Sequence, residues 1–525
     1  MRIGFVNIFS FRPHIQNLIF LAELLKREGH ECFFLTCDSD VSMCYNLLIK
    51  SKNKLIDCPK CIVGGLRSFY QDVDSIKDFS KSDNELVNNG LWVESSLATA
   101  FRLELPSQLL ENDVLKIKKK VLESVNSTFY ATQGWIKQKN LDGVICFNGR
   151  MDLTRSIIEA CISLKLPFLT HESSWFGNGI TLVPNNNCLA SSEWLRLNET
   201  YQNKPLKESQ LNIATSVIAQ RFLKKSKFEW RQYNNKLTWQ WETVNPKELK
   251  ILILPSSRSE FMGEDEYNSQ WSIDSIGGFE KTLDKFAKCG HLINVVVKAH
   301  PIWGQNVYGV LGNKIENHYK NWAKDKNFIW LGSEEKLDAQ FLISQCDILI
   351  INGSSVALEA GVMGKPIICT SNMLYTNAGF TLDILNDNDL GKIPLFLENF
   401  DVRNIIRKAL RFIYMCSRRF PQFVDGIVSN TNLENRYFYT NRTNGKILID
   451  LLLTGQVKPF DNTYDINEYN ENRYIDKILE GKWDEMDEVT KEEVDENRIE
   501  IKIKRRKIFT FVDKIRNKLP KGDER

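Results

Sequence analysis

The chain predicts an α/β architecture: two doubly wound, Rossmann-like domains facing each other across a cleft, with a helical carboxyl-terminal extension. Three observations predict it. Apolar strand-like runs alternate with helix-period segments in two separate series. A stretch over 238–250 of Trp, Gln, Asn, Pro and Lys texture divides the two series. The 525 residues are 42% hydrophobic and 26% charged, ordinary globular values that exclude collagen, coiled coil and wholesale disorder. The boundaries read from these shifts are a domain over 1–240, a second over 241–415, a helical return segment over 416–480 and an acidic-then-basic tail over 481–525.

The first series opens with a buried strand over 2–8. A loop from Phe9 to His14 follows, then a helix over 16–27 with Leu18, Leu21, Leu24 and Leu25 at helical spacing. Gly29 ends that helix and 31–36 resumes as a strand, which makes a βαβ opening and hence a parallel sheet. The unit recurs with strand 143–147, helix 154–164 and strand 167–170. The second series comprises strand 249–254, helix 277–289, strands 292–298 and 328–331, helix 336–345, strand 347–351, helix 356–363 and strand 366–370. Beyond 401 the pattern is helical, over 402–416 and 445–453. No repeat of 20–50 residues is present.

Charge narrows the function classes. Sixty-nine basic against sixty-six acidic side chains leave +3, which excludes a protein built to coat nucleic acid. No run reaches the ~20 apolar residues of a membrane span. The first residues show no signal-peptide pattern, so a cytoplasmic protein is expected. Neither Gly-x-Gly-x-x-Gly nor a Walker lysine motif occurs, against a dinucleotide oxidoreductase or a P-loop NTPase.

Two loops carry the most chemistry. Lys298-Ala-His300-Pro301 and Asn352-Gly353-Ser354-Ser355 each follow a predicted parallel strand, at the carboxyl end where open α/β sheets bind ligands. The paired serines open a helix, whose free amides suit a phosphate; Ser354 is equally the residue type of an ordinary N-cap. Ser355 and Glu359 share a helical face, and a carboxylate there would suit ribose hydroxyls. Pro301 keeps His300 out of helical conformation, at the strand tip.

Lys298-Ala-His-Pro301, then Asn352-Gly-Ser-Ser-x3-Glu359-Ala-x3-Gly-Lys-Pro-Ile, then Tyr375-x3-Gly-Phe-Thr381, resemble the motifs of bacterial capsule and surface-polysaccharide glycosyltransferases. These are GT-B enzymes, a class that includes Kdo transferases and sialyltransferases with His-Pro and Ser-Ser motifs. The resemblance is strongest over 250–385. It implies that His300, Ser354 and Ser355 hold the nucleotide and phosphate of a donor sugar, CMP-linked by preference and UDP-linked as the alternative. It also implies that 1–240 holds the acceptor, a surface glycan or lipid-linked glycan, and that catalysis needs no cofactor.

Transfer requires a base for the acceptor hydroxyl and stabilisation of the departing phosphate. His14 or Glu172 would supply the first, and Lys298, His300 and the Ser354–Ser355 turn the second. Asn148, Arg150 and His171 at neighbouring strand tips, with Arg258 and Glu260 past strand 249–254, are expected to line the substrate cleft. Asp38-Ser-Asp40 has the letters of a metal–diphosphate motif at an unsuitable place. Cys37, Cys44, Cys58 and Cys61 include one Cys-x2-Cys pair and would suit a structural zinc site, a redox role or unrelated thiols. Residues 501–525 are basic with interleaved Ile and Phe, a segment for peripheral contact with anionic membrane at the inner face of the cell or for pairing with the acidic 484–496 stretch. Two other functions fit the same site: a CDP-polyol phosphotransferase of the teichoic-acid type, and an inactive nucleotide-binding scaffold of a polysaccharide assembly complex.

Overall fold

The computed structural model describes residues 1–79, 90–226, 237–243, 245–307, 309–431, 433–487 and 498–516, with side chains to 511. The first six strands are β1 (Arg2–Asn7), β2 (Glu31–Thr36), β3 (Asp74–Ser75), β4 (Gly143–Phe147), β5 (Phe168–Ser173) and β6 (Ile180–Pro184). They form one sheet in the order β3-β2-β1-β4-β5-β6, parallel except for the β5–β6 pair. The next six are β7 (Leu249–Leu254), β8 (Ile293–Lys298), β9 (Ile329–Leu331), β10 (Ile348–Ile351), β11 (Ile367–Cys369) and β12 (Leu382–Asp383). They make a second, wholly parallel sheet in the order β12-β11-β10-β7-β8-β9. Counted within each domain, both orders are 3-2-1-4-5-6. The order reverses between β1 and β4 in one sheet and between β7 and β10 in the other, and these switch points are where doubly wound sheets open a crevice for ligands.

Central strands here are continuous apolar runs because both faces are covered. Alternate residues serve different cores. Phe5 of β1 and Leu252 of β7 belong to a single core that runs through both domains, whereas Val6 and Ile253 face two separate outer cores. The carboxyl-end loops of the two sheets meet. Past β4, Arg150 donates to the Glu260 carbonyl past β7 at 3.0 Å. The helix Val402–Tyr414 then runs through a wide turn, Met415–Arg419, and the chain crosses back to the first sheet. There Gln422 and Ile180 exchange backbone hydrogen bonds at 2.7 and 3.0 Å. Two doubly wound domains facing at their carboxyl ends, with a returning terminus, is the GT-B arrangement.

The sequence reading omits helices Leu91–Phe101, Asn112–Lys139 and Asn313–Asp325 and strands β3, β6 and β12, and two further features depart from it. The extension holds three short antiparallel strands besides its helices: β13 (Ile427–Thr431), β14 (Glu434–Tyr439) and β15 (Ile499–Glu500). Their polar composition hides them; Tyr437 is pinned by its hydroxyl to Asn17 Oδ1 at 2.7 Å rather than by an apolar run. Helix Glu208–Phe222, inside 1–240 by sequence, packs against helices 356–362 and 402–414 and so belongs spatially with the second domain. No helix among the described residues is long and apolar enough to cross a membrane.

Candidate active site

At the first switch point, His14 opens the helix His14–Arg27 directly after the β1 loop. Its Nε2 lies 3.3 Å from Glu172 Oε1 at the end of β5, and Asn148 Nδ2 donates to the other Glu172 oxygen at 3.1 Å. Asn148 and Gly149 both take left-handed backbone, φ 64° and 71°. That turn lets Asn148 Oδ1 accept from the Arg150 amide at 2.9 Å, which fixes the amide group against Glu172. Burial holds the His14 pKa below the ordinary imidazole value, and the Glu172 charge opposes part of that shift. The arrangement is an imidazole whose Nε2 faces a half-buried carboxylate and whose Nδ1 is buried and, among the described residues, unpaired, chemically a base with an orienting partner.

The other sequence-predicted residues of this domain are more deeply set. His171 is wholly buried, its ring 6.3 Å from that of His14, and burial drives its pKa well below the ordinary value. Neither of its ring nitrogens has a partner. It stands behind His14, away from solvent. Arg150 is buried and donates to Ser95 Oγ at 2.6 Å and Thr99 Oγ1 at 3.2 Å as well as to the Glu260 carbonyl. It braces the domains, while the Glu260 residue itself is exposed.

At the second switch point the buried Asn352 accepts from the Ser256 amide at 2.7 Å, tying the end of β10 to that of β7. Gly353 has φ 109°, and a Cβ there would stand 2.3 Å from Met373 Sδ and 2.8 Å from Arg258 Nη1. Only glycine fits. Arg258, buried beneath it, donates to the carbonyls of Asn352 at 2.9 Å and Tyr267 at 3.0 Å, so it supports this turn from behind. Ser354 Oγ accepts from the Val356 amide at 3.3 Å, the geometry of a cap. Past β8, His300 Nδ1 accepts from the Ile302 amide at 3.2 Å, and Pro301 begins a single helical turn to Gly304. Lys298 Nζ donates to the Gly332 carbonyl at 2.6 Å, and burial lowers its pKa to about 8.

Three residues that sequence reasoning missed join the two tips. Arg221, on helix Glu208–Phe222, donates to Glu359 at 3.0 Å and to Ser355 Oγ at 3.5 Å. Its guanidinium also lies 5.7 Å from the Phe176 ring, four residues beyond Glu172. Glu359, expected to meet ribose, is thus engaged with Arg221. The segment after helix Leu91–Phe101 grips the His-Pro loop: Arg102 donates to the carbonyls of Ile302 (2.6 Å), Gln305 (2.6 Å) and Val310 (3.1 Å). The Glu104 carboxylate accepts from Ser257 Oγ (2.6 Å), the Arg258 amide (2.9 Å) and Trp303 Nε1 (3.1 Å). Beside this grip lies a cavity of about 440 Å³ between 101–117 and 306–315, whose lining includes neither His300 nor Ser354.

The four thiols do not form the zinc site that their spacing suggested. Among the described residues no group of three or more His, Cys, Asp or Glu is placed to hold a metal ion. Cys58 and Cys61 lie within one continuous helix, Lys54–Gly64, not in a knuckle turn. Burial raises Cys37 to about 11 and Cys44 well above the ordinary thiol value, so both are protonated thiols in the free protein. Asp38 is bound by Arg67 and Asp40 by Ser75, so neither carboxylate of that motif faces a ligand alone.

No family model and no curated protein matches the chain. Among solved structures it is similar to KpsC of Thermosulfurimonas dismutans, a β-Kdo 2,4 transferase, at 13% identity and TM-score 0.33 over 65% of this chain and 87% of that one. A β-Kdo 2,7 transferase KpsC of the same organism gives 12% and 0.31 over 67% and 89%. The UDP-GlcNAc 2-epimerase of Neisseria meningitidis, bound to UDP-GlcNAc, gives 12% and 0.28 over 79% and 97%.

Proposed function

We propose that the protein is a glycosyltransferase that moves a sugar from a nucleotide-linked donor, CMP-linked by preference, to a surface-glycan or lipid-linked acceptor. One observation carries the reading. Two switch points, one with the His14–Glu172 pair and one with the His300 and Ser354–Ser355 loops, are joined through Phe176, Arg221 and Ser355. In this reading His14, oriented by Glu172, takes the proton of the acceptor hydroxyl as its oxygen bonds to the anomeric carbon. The bond from that carbon to the phosphate oxygen breaks, and its electron pair leaves with the nucleotide. Charge growing on that phosphate is met by His300, the amides around Ser354 and Ser355, and Arg221. Lys298 orders the His-Pro loop through its carbonyl contacts. The basic segment 501–525 serves as a peripheral contact with anionic membrane.

A thermal-shift series with CMP, UDP, GDP and CDP tests the donor site, because a ligand of the native state raises the melting temperature. CMP should raise it, and His300→Ala and Ser354→Ala/Ser355→Ala should lose that rise while melting normally without ligand. Transfer from CMP- and UDP-linked sugars, against CDP-polyols, tests the reaction. No rise with any nucleotide, or rises that both variants keep, would overturn the assignment.

A further inference from the structure

We infer that the helix Lys54–Gly64 joins the carboxyl-terminal segment in one docking surface for an anionic lipid bilayer, beside the strand tip that carries His14. It rests on the proposed function only in what it brings within reach, a lipid-linked acceptor. Helix 54–64 opens with two apolar side chains in solvent, Leu55 at 87% exposure and Ile56 at 47%. On the carboxyl-terminal segment, Ile508 is 65% exposed and Phe511 63%.

Exposed apolar residues alone mean little; Ile466 is 93% exposed, but it lies among Asp465, Glu468 and other acids. The charge around the first four distinguishes them. Residues 50–70 and 501–511 hold ten Lys and Arg against one acid, Asp57, in a chain whose totals are 69 and 66. Asp57 is itself buried and accepts from the Ser51 hydroxyl and amide at 2.6 and 3.1 Å. Lys50, Lys52, Lys60, Lys502, Lys504 and Lys507 are exposed.

The two elements are bonded together. The Arg506 amide donates to the Ser68 carbonyl at 2.8 Å, its guanidinium to the Arg67 carbonyl at 3.2 Å, and Arg505 to the Val63 carbonyl. The helix Lys507–Arg516 therefore starts on the loop that ends helix 54–64. That loop adjoins the β1 tip, since a Cβ on Gly64 would stand 2.9 Å from Ser10 Cβ.

A few apolar side chains set apart on two elements among long lysines make a poor match for a folded partner, which needs a contiguous apolar centre. They suit a bilayer surface. Lysines reach anionic headgroups while isolated Leu, Ile and Phe side chains enter the acyl boundary.

The test is flotation of the full chain with phosphatidylcholine vesicles, alone or with phosphatidylglycerol. The wild type should float only with the anionic vesicles, and Leu55→Ser/Ile56→Ser should lower its partition by about tenfold or more. Ile508→Ser/Phe511→Ser should lower it as well. Flotation unchanged in Leu55→Ser/Ile56→Ser overturns the inference, even if Ile508→Ser/Phe511→Ser falls and the tail contact stands. Flotation without preference for anionic lipid, or none at all, overturns it too, as does an oligomer that dissociates in Leu55→Ser/Ile56→Ser without any vesicle binding. CMP binding by the wild type and these variants is measured alongside, so that a failed donor site and a failed membrane surface are told apart.

Discussion

Replacing Glu104 tests how the first domain holds the donor loop of the second. Its carboxylate is almost wholly buried and accepts three hydrogen bonds, from Ser257, Arg258 and Trp303. Glu104→Ala would leave three donors unpaired, the buried Arg258 and Trp303 groups at about 1–3 kcal/mol each and the half-buried Ser257 hydroxyl at less. Removing the carboxylate also recovers a desolvation cost, since burial is the leading cause of its raised pKa. We expect a net loss of about 3 kcal/mol for Ala, and about 1 kcal/mol for Gln, which keeps an acceptor oxygen. The pH dependence has a definite sign. A carboxyl whose pKa is higher folded than unfolded stabilises below the unfolded value and loses that contribution as pH rises toward the folded one. Urea unfolding followed by tryptophan fluorescence should show the Ala loss, and nucleotide binding should weaken with it because Trp303 anchors the turn after His300. An Ala variant within about 1 kcal/mol of wild type, with unchanged nucleotide affinity, would refute this account of the grip.

Gly353→Ala should cost about 2–4 kcal/mol, because Arg258 beneath it cannot give way as the Met373 thioether can, and donor binding should be lost; thermal melting with and without CMP checks both. His14→Asn should lower turnover by about a hundredfold or more. The acid limb of kcat/KM should lie below the ordinary imidazole value, and Glu172→Gln should move it lower still, since the Glu172 charge raises the His14 pKa; a limb that moves up contradicts the pair. Asp152, wholly buried at the start of helix 152–163, has its carboxyl raised from 3.8 to about 7 by burial. Its stabilising contribution is complete below the unfolded value and lost as pH climbs to about 7, a change of about 4 kcal/mol. Melting curves from pH 4 to pH 8 should therefore be flatter in Asp152→Asn than in wild type, and parallel curves would contradict that environment.

Local pattern accounts for what was legible beforehand. Strands 31–36, 143–147 and 249–254 were readable to the residue because each is a mostly apolar run whose carboxyl half is buried, followed by a polar turn. The loops at His300 and Ser354 were placed at strand tips for the same reason. The hairpin Ile427–Tyr439 was not legible, because its polar residues owe their conformation to the surface they lie on. The four cysteines had metal spacing in sequence, but a helix carries two of them and, among the described residues, no three His, Cys, Asp or Glu are placed to hold a metal ion.

By itself the sequence determined the central strands of both sheets, several of the helices they alternate with, and which loops carry His14, His300 and the paired serines. These follow from short-range periodicity, where each residue reports its own conformation and burial. Only the tertiary structure decided that Arg221 meets Ser355 and Glu359, that Arg102 and Glu104 grip the loop after His300, and that helix 54–64 lies beside the basic terminus. Those contacts span up to 442 residues of chain, and many end on backbone carbonyls or amides. Every residue carries such groups, so no side-chain pattern could have announced them.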